Sequence, residues 1–196
     1  MNEHSVGNSA FFDSSSADTL EQMSDEEFWN YAREVASIAY QVPQRQEYLE
    51  CEFASGCCLI PLAALDEVIP APHRLDLLPA VPDWMRGIMA WRSETIAVID
   101  LEAYLSGSSS MLDPSSSGTL LVTDCGNVPV GLLVPAVGST TTIQLDEIAA
   151  PTEAFAWYIP GRAPVLKGVS AETLVLDVAA LVADVVQQIG MSTNDG

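Results

Sequence analysis

The chain has 196 residues, 48% of them hydrophobic, which is enough to bury a core as one domain or two closely packed halves. Its 27 acidic residues against 7 basic ones give a formal net charge of −20. That balance argues against nucleic acid and anionic membrane surfaces as partners, because binding either needs clustered Lys and Arg.

Residues 1–23 are rich in Ser, Asn and acids, with few apolar residues apart from Phe11 and Phe12. They cannot bury enough surface to offset ordering entropy, so a flexible acidic tail is expected. This start has neither the basic residues nor the apolar stretch of a signal peptide, and no apolar run nears the roughly 20 residues that span a bilayer. A cytoplasmic protein without membrane insertion is the expectation.

Ser24-Asp25-Glu26-Glu27 is an S-x-x-E capping box that should open a helix. Phe28, Tyr31, Ala32, Val35, Ile38, Ala39 and Val42 then recur at three- and four-residue spacing, an apolar stripe that needs something to cover, until Pro43 stops the helix. From Tyr48 the period becomes two: Leu49, Cys51 and Phe53 alternate with Glu50 and Glu52. Ser55-Gly56 offers a turn into Cys57-Cys58-Leu59-Ile60, so a hairpin is expected. Thr95–Ile99, Leu120–Thr123, Val128–Val134 and Thr173–Leu176 are further short β-type runs. Many short strands without long intervening helices favour barrels or a sandwich over a parallel α/β sheet.

The stretch from Ser106 to Gly118 has linker composition and divides residues 44–196 roughly in half. The two sides resemble each other, since Thr95–Leu105 and Thr173–Val182 each read as a β-branched strand, an Asp and a helical segment.

Asp100 and Asp177 are the candidates for two-carboxylate chemistry, with duplicated halves each supplying one Asp. Neither is followed by the Thr-Gly or Ser-Gly turn that aims such a dyad, and both stand where a helix N-cap is expected. His4 and His73 are too few for a Cys/His triad or a zinc site, and there is no phosphate-cradling loop or nucleophile elbow. Cys51, Cys57, Cys58 and Cys125 form no C-x-x-C pair and read as free thiols. No enzyme, metal or cofactor is expected. Arg92, a cation in a very acidic chain, falls at a tight turn between two strands, where it serves either an internal salt bridge or a partner contact.

Five segments in order resemble the CheW-like domain family. Leu65-Asp66-Glu67-Val68-Ile69 is similar to its Val-x-Glu-Ile element, and Leu77–Pro82 to its Leu-Pro-x-x-Pro approach. The stretch from Val81 to Leu101 is similar to its pattern of a Pro-x-hydrophobic stretch, Gly, strand, Arg-Gly and then Pro-Val-hydrophobic-Asp-Leu, with Ser93 in place of Gly and Ala97 in place of Pro. Val130–Val137 is similar to its Val-Gly-Leu-x-Val-Asp-x-Val strand, with Pro135-Ala136 where the Asp stands, and Leu174–Leu181 to its closing strand and helix.

The resemblance covers about Tyr48 to Ile189 and implies a mostly β fold of two five-stranded SH3-like barrels, here with an added N-terminal helix and a short C-terminal one. It implies a non-catalytic adaptor that couples methyl-accepting-type receptors, through their helical tips, to the regulatory domain of a CheA-type histidine kinase in chemotaxis or pilus-type motility. Leu65, Glu67, Gly87, Arg92, Val134 and Val137 are the partner-binding residues it implies, Gly87 reading also as a conformational residue. A kinase-binding regulator that ignores receptors and an unrecognised enzyme are the alternatives.

Overall fold

The computed structural model describes residues 24–39, 44–108, 118–125, 128–151 and 160–192. The expected acidic tail, the end of the first helix and most of the Ser-rich segment lie outside them. The chain divides into two units, Met1–Pro43 and Gln44–Gly196.

The first unit holds α1 (Asp25–Ala39). It begins as the capping box predicts: the Ser24 amide and hydroxyl donate to Glu27 Oε2 at 3.0 and 2.7 Å, and the Glu27 amide donates back to Ser24 Oγ at 3.4 Å. The donation from the Ser24 amide, then the hydroxyl's, holds the Glu27 carboxyl below its ordinary pKa.

The second unit is mostly β. Its strands are β1 (Arg45–Glu52), β2 (Cys57–Pro61), β3 (Glu67–Pro70), β4 (Met85–Trp91), β5 (Glu94–Asp100), β6 (Thr119–Asp124), β7 (Pro129–Val134), β8 (Ala136–Gln144), β9 (Leu166–Ser170) and β10 (Thr173–Leu176). Helix α2 (Leu101–Ser106) follows β5 and α3 (Val178–Ser192) follows β10. The strands form two five-stranded sheets, in the orders β8-β1-β2-β10-β9 and β3-β6-β7-β5-β4.

The two orders are the same pattern. Each has an antiparallel hairpin (β1·β2 or β6·β7) whose second strand pairs in parallel with a distant strand (β2·β10 or β7·β5), which in turn pairs antiparallel with its predecessor. In sequence the duplicated unit is five strands and a helix, and the Ser-rich segment lies at its boundary. In space the halves are exchanged: the first sheet takes β1 and β2 from one half and β8, β9 and β10 from the other. Each sheet therefore draws strands from both halves of the sequence. The parallel pairings of β2 with β10 and of β5 with β7 join the halves, and no local sequence pattern announces them.

Each sheet also curls toward its other edge. After β3, Asp76 exchanges two backbone hydrogen bonds with Ile88 of β4, at 3.0 and 2.9 Å. After β8, Ala149 does the same with Val169 of β9, at 2.9 and 2.8 Å. Both approaches need a glycine beside them. A Cβ on Gly87, whose φ is +134°, would sit 2.5 Å from the Asp76 carbonyl oxygen, and one on Gly168 would sit 2.3 Å from that of Ala149.

Three apolar clusters hold this unit together. Ile96, Val98, Leu120, Val122 and Leu133 lie inside the second sheet, and Tyr48, Leu59, Ile143 and Val175 inside the first. The largest cluster is shared: Ile60 and Leu174 of the first sheet and Ile99 and Leu132 of the second meet Leu101, Tyr104, Leu181 and Val185 from the two helices. At about 1.5–3 kcal/mol for each fully buried aliphatic side chain, this shared layer is the main tie between the sheets.

Candidate partner-binding surface

The β4–β5 hairpin turns on Arg92 and Ser93, both with positive φ (45° and 70°), between the paired residues Trp91 and Glu94. Two consecutive left-handed residues match the right-handed twist of the strands, and Asn-Gly is the usual choice there. The equivalent turn between β9 and β10 uses Ala171 and Glu172, at 46° and 66°. Backbone geometry of this turn is thus retained without glycine in both halves.

The turn holds Arg92 above the ring of Trp91, with the guanidinium carbon 4.6 Å from the ring centroid. Arg92 also pairs with Glu67 at 3.2 Å, and the Trp91 indole N–H donates to the same Glu67 oxygen at 2.8 Å. Glu67 opens β3 and Trp91 closes β4, the two outer strands of the second sheet, so the cluster fastens one end of the seam that the Asp76–Ile88 pairing fastens at the other. An exposed ion pair contributes only about 0–1 kcal/mol. With 62% of its side chain exposed, Arg92 still presents cationic surface to solvent.

The remaining predicted residues separate into different environments. Leu65 is half-buried just before β3 and packs on the shared core. Gly87 is buried at the close approach described above. Val134 is fully buried in the shared core at the end of β7, and Val137, half-buried in β8, packs against the same core. They flank Pro135, where the chain passes from the second sheet to the first. Glu67 and Arg92 are therefore the pair that the structure brings together at the surface.

Asp100 and Asp177 each cap a helix: Asp100 Oδ1 accepts from the Ala103 amide and Asp177 Oδ1 from the Ala180 amide, both at 3.0 Å. Their backbone amides are pinned in parallel fashion to Trp84 and Val165, the residues just before β4 and β9. All four cysteines are free. Cys51 and Cys58 face each other across β1 and β2, and burial, with the Cys51 thiol beside it, pushes the Cys58 thiol well up, away from thiolate chemistry. Among the described residues no His, Cys, Asp and Glu group of three or more could hold a metal ion, and no helix is long and apolar enough to cross a membrane.

One surface escaped sequence reasoning. A groove of about 290 Å³ runs between α3 and the second sheet, lined by Ala97 of β5, Val130 of β7, nearby Val128, and Val185, Val186 and Ile189 of α3. Val128 and Val186 are 39% and 45% exposed. The signal was present in the width of the α3 stripe, where Leu181, Val182, Val185, Val186 and Ile189 are more apolar residues than one narrow packing face requires. Leu77, 82% exposed in the loop after β3, is a second apolar protrusion.

Two similar five-stranded sheets thus share a core, with an apolar groove and a charged hairpin tip on their surface. The model of the CheW-like domain family matches residues 47–186, and the chain belongs to that family. The crystal structure of the scaffolding protein TtCheW from Thermoanaerobacter tengcongensis is similar, with a TM-score of 0.56, 16% identity, and coverage of 70% of this chain and 86% of that one. That likeness shows the fold. No curated protein sequence matches the chain. Helix α1 lies outside the matched residues.

Proposed function

We propose that the chain is a non-catalytic cytoplasmic adaptor that couples a methyl-accepting-type receptor to a CheA-type histidine kinase, in chemotaxis or pilus-type motility. The observation that carries this reading is the family match over residues 47–186, which takes in both sheets and most of α3. The groove between α3 and the second sheet gives it a physical basis: an apolar channel between a helix and a sheet accepts the apolar face of another helix, as a receptor's helical tip would present. The Glu67–Trp91–Arg92 cluster, with Arg92 largely exposed, supplies the charged contact beside the sheet's outer strands.

Val186→Glu tests the receptor half of this reading, because it places a charge on an already exposed wall of the groove. Titration of a receptor tip fragment into this variant should show binding lost with the fold retained. Unchanged binding would move the receptor site away from the groove.

A further inference from the structure

Tyr104 of α2 and Asp184 of α3 belong to helices that follow different sheets, and a polar cluster joins them at the edge of the shared apolar core. The Tyr104 hydroxyl donates to Asp184 Oδ2, and so does the side-chain amide of Gln188 one helical turn on. Arg162, from the 3-10 segment Pro160–Val165 before β9, pairs with the same oxygen at 2.9 Å and lays its guanidinium 4.0 Å from the Tyr104 ring centroid. The pair is sheltered, with side-chain exposures of 14% for Arg162 and 33% for Asp184. A single carboxylate oxygen thus gathers donors from three separate segments of the chain.

The next residues along α3 are Val185 and Val186, which form the groove's helical wall with Ile189. An apolar helix face alone fixes the roll of a helix weakly, since apolar contact is non-directional. A charge-assisted pair and a phenol hydrogen bond are directional and fix both its rotation and its axial position. We infer that Asp184, held by Tyr104 and Arg162, is the positioning residue of the groove: the clamp sets where α3 stands relative to β5 and β7, and so whether the groove fits a helix. This rests on the reading of the groove as the receptor-tip site.

The test compares Tyr104→Phe, which removes one hydroxyl, Asp184→Asn, which removes the charge at similar size, and Ile143→Val, which trims the separate core of the first sheet. Two quantities are measured on the full chain: affinity for a receptor tip fragment, and amide hydrogen exchange of residues 182–190. The clamp variants should weaken tip binding by roughly three- to thirtyfold and speed exchange along α3 severalfold, with β5 and β7 still protected. Ile143→Val should leave both unchanged, even where its loss of thermal stability matches theirs. Wild-type affinity and exchange in both clamp variants would overturn the inference, as would equal losses in the Ile143 variant. If the unaltered protein binds no receptor tip, the receptor reading fails, and exchange along α3 alone decides whether the clamp positions the helix.

Discussion

Replacing Gly87 with alanine should be among the most damaging single-methyl changes in this fold. The new Cβ would lie 2.5 Å from the Asp76 carbonyl oxygen, a backbone atom that cannot swing aside, and the residue's φ of +134° is a conformation that side chains rarely adopt. Backbone strain of this kind costs about 1–3 kcal/mol. Displacing Asp76 also breaks its two backbone bonds with Ile88, each contributing about 0.5–1.5 kcal/mol. Together these give a loss of roughly 2–6 kcal/mol, or a fall in melting temperature of several to about 20 °C for a unit of this size. Gly168→Ala meets the same obstacle at Ala149 without the positive φ, so its loss should stay near 1–3 kcal/mol. Gly190→Ala is the control: nothing lies within 4 Å of its Cβ, and an alanine in α3 should stabilise by up to about 1 kcal/mol. Urea unfolding followed by tryptophan fluorescence measures all three. If Gly87→Ala lies within 0.5 kcal/mol of wild type, roughly the noise for a surface change, the curling of the second sheet at Asp76–Ile88 is wrong.

Arg92→Ala should cost less than about 1 kcal/mol of stability, because its pair with Glu67 is exposed, yet weaken kinase or receptor binding by about 1–3 kcal/mol. Calorimetry with paired melting curves checks this, and strong destabilisation would assign Arg92 to the seam alone. Asp100→Ala should lower stability by about 0.5–2 kcal/mol through loss of the α2 cap, while Asp100→Asn keeps most of it; equal losses in urea melts would contradict capping as its role. Tyr104 supplies a pH signature. Burial, reinforced by the Asp184 hydrogen bond, raises its phenol above the ordinary value of 10.0. Its stabilisation is therefore fully present below pH 10 and is lost as pH rises from there toward the folded-state pKa. Tyr104→Phe should flatten that part of the stability profile, and an unaltered slope would refute the assignment.

Local signals in this chain were legible where local physics decides the structure. The Ser24–Glu27 box, the Asp100 and Asp177 caps and the β1–β2 hairpin all depend on residues a few positions apart, and all stand where the pattern placed them. Strand β8 escaped because Ser139, Thr140, Thr141 and Thr142 are exposed on an outer strand, where no buried face imposes alternation and the run reads as a polar loop. The exchange of strands between halves was hidden because it rests on pairings, parallel and antiparallel, between distant segments. Of the candidate site, Glu67 and Arg92 were found through the family pattern. Trp91, which shares the same Glu67 oxygen, was not singled out, since neither spacing nor pattern marks an indole as a hydrogen-bond donor. The α3 groove needed the packing of α3 against the second sheet, which only the tertiary structure supplies.

The adaptor reading is tested most directly by isothermal titration of the full chain with the regulatory domain of the CheA-type kinase from the same genome, at tens of micromolar protein. The expected result is a saturable heat from a specific complex, whose interface should bury more than about 1,000 Å², and a weaker one for Arg92→Ala. No heat with any CheA-type regulatory domain that genome encodes, from motility or non-motility systems, would contradict it.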